Sequence, residues 1–345
     1  MRRIKIGNIG TLHGHSTSTM QTIKELSDIY EIVGFVPESD QRYNEIKDSL
    51  GYQGIKRMTL EELLSCDLDA VVIEGFEKEQ VHYAKKCIEK GFHVQIDKPA
   101  GDNAEEFKEL LIEAKKKNLI VHMGYMYRYN PSIVRAKQLS KEGKLGDIYS
   151  VEAHMSGEYN LSQREWLGNF KGGIMFYLGC HLVDLVYSFM GVPNEIIPLN
   201  QAIKNDKNAE DFGMAVFKYD RGVAFIKTTV DETGGFMRRQ LVVCGTNGTV
   251  EIKPTERYVY TNGEEMLNSD IRVTLSDEIN SAWLGQGKVE TSKLFYRFND
   301  MLIEFAKCIR GEMENPYSYE YELRLQMMLL ASCGYDIDFK QKIEL

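Results

Sequence analysis

The chain has 345 residues, 43% of them hydrophobic and 27% charged, too long for one ordinary core and of the balance expected for two soluble domains. Lysine and arginine total 42 against 51 acidic residues, a net charge of −9. That charge argues against a general binder of nucleic acid or of anionic membranes, because both need a basic surface. No run of about 18 uninterrupted apolar residues offers a membrane span, and no apolar h-region follows Arg2 and Arg3 as a signal peptide would require. The six cysteines, at 66, 87, 180, 244, 308 and 333, have no CxxC spacing. They read as reduced thiols of a cytoplasmic protein rather than as a disulfide or zinc framework.

In chain order, residues 4–9 read as a first strand ending at Gly10, and 18–29 as a helix through Met20, Ile23, Leu26 and Ile29. Strands follow at 31–36, 70–73, 93–96 and 119–123, and helices at 60–64, 80–90 and 104–117, with Gly91 closing the second of these. Strands alternating with helices predict βαβ units and a parallel sheet covered on both faces. From about residue 148 the texture changes to β-branched and aromatic strands at 148–156, 214–219, 223–230, 240–244, 249–253 and 258–261. Asp220-Arg221-Gly222, Thr246-Asn247-Gly248 and Asn262-Gly263 are the expected turns. Helices are expected at 132–142, 180–190, 292–310 and 319–335. The fold class is α/β: a doubly wound parallel sheet over residues 1–122, then an α+β domain with an open, mostly antiparallel sheet over 123–345.

Several residues could carry chemistry. The first strand runs into Gly10-Thr11-Leu12-His13-Gly14-His15, where a dinucleotide fold wants a glycine-rich turn that brings backbone amides and a helix N-terminus to a pyrophosphate. Gly10 takes the place of the first glycine, while Leu12 and His15 stand at the other two. His13, His15, Ser16 and Thr17 could donate to phosphates or equally cap the helix. Two histidines two residues apart, with no cysteine or carboxylate cluster beside them in sequence, make a weak metal motif, and no metal is expected. Glu38, just past the second strand, is the candidate for the adenosine ribose diol, which favours NAD over NADP. His93-Val94-Gln95-Ile96-Asp97-Lys98-Pro99 ends a strand abruptly in a lysine at the edge of the ligand-binding crevice. Farther on, Gly172 and Gly173 precede His181 at the start of an apolar helix, with Asp184 one turn later. A histidine there suits proton transfer to or from a hydroxyl. Tyr125, Tyr127 and Tyr129, with Arg128 and Asn130, suit either sugar contacts or a packing seam.

Taken in order, DLDAVVIEG, KGFHVQIDKPAG, YRYNPS, GKLGDIYSVEAH, REWLGNFKGGIMFYLGCHLVDLVYSFMG and RRQLVVCGTNGTVEI resemble the segments of the Gfo/Idh/MocA oxidoreductases. These are the relatives of glucose–fructose oxidoreductase and inositol dehydrogenase. The resemblance runs over essentially the whole chain. It implies an N-terminal Rossmann domain, a C-terminal domain for substrate binding and oligomerisation, NAD or NADP, and a dimer or tetramer. It also implies a hydride transfer to or from a secondary alcohol of a sugar, polyol or related compound. Lys98 matches the lysine of the family's EKP motif and His181 its acid–base histidine. Tyr127, Arg128, Tyr129 and Asp184 are then expected near the substrate. Leu12, His13, Gly14, His15, Glu38, Gly75, Phe76 and Asp97 join Gly10 and Lys98 along the cofactor.

The departures are specific. Asp97 replaces the glutamate of EKP. Tyr177 stands where the family has an aspartate four residues before the histidine, and a phenol of ordinary pKa about 10 cannot supply that charge at neutral pH. It could instead relay a proton beside Lys98. Gly75-Phe76-Glu77 replaces the usual Thr-Pro-Asn of the cofactor loop, and Gln80 a common histidine. Two other expectations stand beside a dehydrogenase: a glycosidase using tightly held NAD transiently, and a non-catalytic ligand-binding or regulatory protein on the same fold.

Overall fold

A computed structural model describes residues 2–204, 209–261, 264–276 and 285–345; the expected Asn262-Gly263 turn lies outside them. The chain divides into two compact units. The first comprises Met1–Tyr125, Phe298–Gln326 and Ile343–Leu345, the second Met126–Arg297 and Met327–Lys342.

The first unit begins with β1 (Ile4–Ile9), α1 (Ser16–Glu25), β2 (Tyr30–Val36), α2 (Asp40–Ile46), α3 (Leu60–Leu64) and β3 (Ala70–Ile73). It continues with α4 (Gln80–Glu89), β4 (His93–Ile96), α5 (Ala104–Lys117) and β5 (Val121–Met123). The strands form a parallel sheet in the order β2-β1-β3-β4-β5. Every residue of β3 is buried, which is why its sequence, AVVI, carries no polar alternation. Helix α5 has its ends written in sequence. Asn103 accepts from the amides of Glu105 and Glu106, and Asn118 closes the helix in the left-handed region at φ 55° after three lysines. Helix α1 is shorter than the apolar spacing predicts. The amides of Ile29 and Tyr30 both turn back to Leu26 O at 2.9 Å, so the chain leaves the helix before Ile29 joins its face.

The second unit holds α6 (Pro131–Lys141), β6 (Ile148–His154), α7 (Leu161–Leu167), α8 (Ile174–Tyr177), α9 (Gly179–Met190), β7 (Glu195–Pro198), β8 (Phe212–Tyr219) and β9 (Gly222–Thr229). Next come β10 (Gln240–Gly245), β11 (Gly248–Ile252), β12 (Arg257–Thr261), β13 (Glu264–Asn268), β14 (Asp270–Leu275) and β15 (Lys288–Thr291). Eight strands make one sheet, β15-β14-β11-β10-β6-β9-β8-β7. Only the β6–β9 pair within it is parallel. Helix α9 is apolar nearly all round, with eight of its residues buried; this explains the run GCHLVDLV.

Two last helices follow, α10 (Asn299–Ile309) and α11 (Tyr319–Ser332). Periodicity alone expects a helix from 292, but the chain is still sheet-like there. The Ser292 amide bonds Ser269 O at 2.8 Å, and Phe295 exchanges backbone hydrogen bonds with Leu267. A single cut at residue 122 would assign α10 to the C-terminal domain; by packing it belongs to the first unit. The Tyr30 hydroxyl donates to Leu302 O at 2.6 Å, and the His122 and Phe305 rings lie 5.3 Å apart. No disulfide joins any described cysteine, and no helix among the described residues is long and apolar enough to cross a membrane.

Candidate functional site

In the first unit, the strand order reverses between β1 and β3, and ligands of open α/β sheets bind outside the carboxyl ends of strands at such a point. Gly10 follows β1 at φ +80°, and a Cβ built there would lie 2.3 Å from the Cα of Gly75, which follows β3. Gly10 therefore needs to be glycine, whereas a Cβ on Gly75 would meet only ordinary contacts at 3.6 and 3.7 Å. Glu38, beyond β2, accepts from the amides of Thr11 and Leu12 at 2.7 and 3.0 Å and from the Thr11 hydroxyl at 2.7 Å. Arg42 braces the same turn through Thr11 O at 2.6 Å. Beside Glu38 opens a pocket of 620 Å³ lined by Pro37, Asp40, Arg57 and Leu60 among others.

These features fit a dinucleotide. The pocket has room for an adenosine; a bound dinucleotide would find in Glu38 an acceptor beside that pocket, and in the Thr11 and Leu12 amides two donors. Acceptor and donors here satisfy one another. Two further loop amides are engaged: His13 N bonds Glu74 O at 2.9 Å, and His15 N bonds His13 Nδ1 at 3.2 Å.

The ends of β3 and β4 carry a buried charged cluster. Asp97 Oδ2 lies 2.9 Å from His13 Nδ1 and 3.0 Å from His15 Nδ1. Its Oδ1 accepts from the Lys98 amide at 2.6 Å. Glu74 Oε2 lies 3.6 Å from His13 Nδ1, and Glu77 Oε1 3.6 Å from His13 Nε2. Lys98 itself is 1% exposed. Burial works against a charged His13, but the Asp97 carboxylate outweighs it and lifts the imidazole to about 10. Burial takes His15 down to about 4 and pushes Glu74 up, Asp97 adding to the effect. Asp97 stays well below the usual carboxylate range because its two histidines outweigh its burial. No carboxylate stands beside these histidines in sequence; the fold brings Asp97, Glu74 and Glu77 to them from about 60 or more positions away. Glu74 was not singled out, although an acid placed directly after four buried residues was the available signal.

In the second unit, His181 lies in the first turn of α9, buried, with its ring 4.9 Å from that of Tyr127 and nearly perpendicular to it. Tyr127 sits on a short 3-10 turn over Met126–Tyr129. Its hydroxyl donates to Glu256 Oε1 at 2.5 Å, and Arg297 grips the same carboxylate with two bonds of 2.7 and 2.8 Å. Arg239 adds bonds of 2.9 Å to Glu256 and 3.1 Å to the Tyr127 hydroxyl. Burial opposes the charge on Glu256, but the two arginines hold its pKa down. Burial and Glu256 push that of Tyr127 up. Arg128 meets Asp184 through Nε at 3.0 Å and Nη2 at 2.8 Å, both side chains buried. The two candidate substrate residues thus neutralise each other. Tyr129 is half-buried at the end of the turn, and Tyr177 packs against Trp166, ring centroids 4.6 Å apart. Sequence reasoning missed Glu256, Arg239 and Arg297; nothing in their spacing ties them to Tyr127.

The first unit is therefore a nucleotide-binding type of α/β sheet, and the second an open sheet carrying a buried histidine. The model of the oxidoreductase family with an NAD-binding Rossmann fold matches residues 4–125, and that of the GFO/IDH/MocA C-terminal domain matches 133–251. The chain belongs to the Gfo/Idh/MocA family of oxidoreductases. The uncharacterized oxidoreductase YhhX of Escherichia coli K12 is 29% identical over 163 residues, 47% of each chain. The chain spans about half the length, or less, of the curated relatives it matches first. Among solved structures, a levoglucosan dehydrogenase in complex with NADH and levoglucosan aligns with TM-score 0.78 at 15% identity, covering 96% of this chain and 98% of that one. The UDP-N-acetylglucosamine 3-dehydrogenase GnnA of Acidithiobacillus ferrooxidans aligns with TM-score 0.75 at 17% identity, covering 97% and 98%. Both share the fold.

Proposed function

We propose that the chain is an NAD(P)-dependent dehydrogenase that moves a hydride between nicotinamide and a secondary alcohol of a sugar, polyol or related substrate. The observation that carries this reading is Lys98, an ammonium 1% exposed at the carboxyl end of β4, where α/β sheets bind ligands. A cation removed from water at such a place stabilises a developing alkoxide far better than it would in solvent. His181 takes the hydroxyl proton, and the Tyr127 ring, fixed through Glu256, sets the plane of its imidazole. Gly10, Leu12, His13, Gly14, His15, Gly75, Phe76 and Asp97 line the cofactor path, with Glu38 on the ribose diol. Bound nicotinamide supplies the hydride acceptor. Glu38, Asp40 and Glu62 border one pocket, and Arg57 there is paired with Asp40, so a 2′-phosphate is disfavoured and NAD preferred over NADP. Residues 1–122 carry the cofactor-binding half of this proposal. Tyr127, Arg128, Tyr129, Tyr177 and Asp184 shape the substrate side, Arg128 and Asp184 as a fixed pair. The protein is taken to be a cytoplasmic homodimer or homotetramer, a state that light scattering reads directly.

The test is a melting series with NAD, NADH, NADP and NADPH, followed by turnover on a panel of hexoses, pentoses and inositols. A nucleotide at about 100 times its Kd adds about 2.7 kcal/mol to stability. Lys98→Ala should then cost about 2–4 kcal/mol of transition-state stabilisation, and His181→Ala a factor of about 10²–10⁴. A chain that no nucleotide stabilises is not this enzyme, and near-native turnover in both variants removes the assigned roles.

A further inference from the structure

The loop after β1 carries His13 and His15 to the ends of β3 and β4, and the atoms that meet there are metal-ligand atoms. His13, His15 and Asp97 each offer one ligand atom, all within 4.8 Å of one another. A four-coordinate zinc ion with bonds of about 2.0–2.1 Å holds its ligand atoms about 3.3–3.4 Å apart. Asp97 Oδ2 is 2.9 and 3.0 Å from the two histidine Nδ1 atoms, and Glu74 Oε2 is 3.6 Å from that of His13. These three separations lie within about 0.5 Å of the tetrahedral value; His13, His15 and Asp97 already group together, and Glu74 would complete the set by rotation of its side chain.

Glu74 supplies the second, independent observation. Its side chain is fully buried at the end of β3, and neither carboxylate oxygen has a hydrogen-bond partner among the described residues. Its one ion-pair partner among the described residues is His13, 3.6 Å away and already engaged more closely by Asp97, and a buried carboxylate so weakly compensated costs several kcal/mol, on the order of the penalty for a buried ion. We propose that His13, His15, Asp97 and Glu74 form a binding site for a divalent transition cation of the zinc class. Glu77, 3.6 Å from His13 Nε2, faces the ring nitrogen that would not touch the metal, the place from which a carboxylate orients a ligating histidine. A dication also balances the three carboxylates and the Lys98 ammonium with both imidazoles neutral. Two nitrogens and two carboxylates in a closed set of four favour zinc over calcium or magnesium, which take six or more oxygens. The ion would tie the loop that follows β1 to the ends of β3 and β4, a structural role. Ligation would replace the long bond from the His15 amide to His13 Nδ1.

The test uses the untagged full chain, with no nucleotide and no turnover measurement, so its outcome is independent of the dehydrogenase reading. Metal analysis of the purified protein should find about one zinc per chain, retained through dialysis. After chelation, cobalt(II) should bind to one equivalent with the intense visible absorption of a four-coordinate nitrogen–oxygen site, and zinc should raise the melting temperature. His15→Ala, a half-buried position, and Glu74→Gln, which keeps the shape and removes the charge, should each weaken cobalt binding at least tenfold while near-ultraviolet circular dichroism stays native. Three results overturn the site: no stoichiometric metal, a cobalt spectrum of six-coordinate type, or binding that neither variant changes. The cluster is then balanced by protons alone.

Discussion

Arg128 shows how much one residue's chemistry depends on a partner that its sequence neighbourhood does not show. As part of YRYN it reads as a ligand for a sugar, yet its guanidinium grips Asp184 through two nitrogens in a place closed to water. Removing one member of a buried pair costs about 3–5 kcal/mol, an upper bound here because Lys137 also interacts with Asp184. Arg128→Ala should lower the urea midpoint by an amount up to that bound, and Arg128→Ala with Asp184→Ala should recover part of the loss. A single variant destabilised by less than about 1 kcal/mol would place the pair among exchangeable surface ion pairs. The candidates Lys98 and His181 stand out in the sequence because each ends or opens an element: a polar residue two positions past an apolar strand, and one in the first turn of an apolar helix. Glu256 was not, because its partners Tyr127, Arg239 and Arg297 are spread over 170 residues and meet only through the fold.

At the scale of elements, the five strands and four of the five helices of the first half were readable because βαβ units repeat one local pattern; α2 was missed, although Ser39 caps it. The edges of the second sheet were not. All four residues of β15 are exposed, so no apolar alternation marks it, and it is defined by its pairing with β14. One side-chain bond within the first sheet carries a pH consequence. The Ile120 amide donates to His93 Nδ1 at 2.9 Å, joining the start of β4 to the approach to β5. Burial lowers the His93 pKa below 6.5, with Asp69 opposing, and protonation of Nδ1 would break this bond. A group depressed in the folded state supports the fold above its unfolded pKa and withdraws that support as pH falls through its folded pKa. The melting temperature of the chain should therefore fall between pH 7 and pH 5. His93→Asn, whose Oδ1 can accept the same amide and cannot protonate there, should flatten the slope. An unchanged slope would assign the acid sensitivity to other groups.

At the scale of the whole molecule, composition pointed to two domains and the change of texture to a border near residue 122, but a linear reading assigns every residue after the border to the second domain. The chain instead returns. Phe298–Gln326 belongs to the first unit, and nothing in an amphipathic helix states which sheet it will cover. The physical cost of ignoring the return can be estimated. Met301, Leu302 and Phe305 of α10 are at most 1% exposed, and burying three such side chains contributes about 5–9 kcal/mol. Beyond that, the Gln326 amide group closes on Gly101 O and Ala100 N, and the Tyr319 hydroxyl bonds Leu119 O. A domain is stable by about 5–15 kcal/mol in all, so losing these contacts removes most or all of it. A fragment of residues 1–125 should thus show no cooperative thermal transition and rapid proteolysis, despite containing every strand of its sheet. Adding residues 298–326 back through a flexible linker from residue 125 should restore a cooperative melt. If the short fragment melts cooperatively near the temperature of the full chain, α10 is a cover that the first unit does not need.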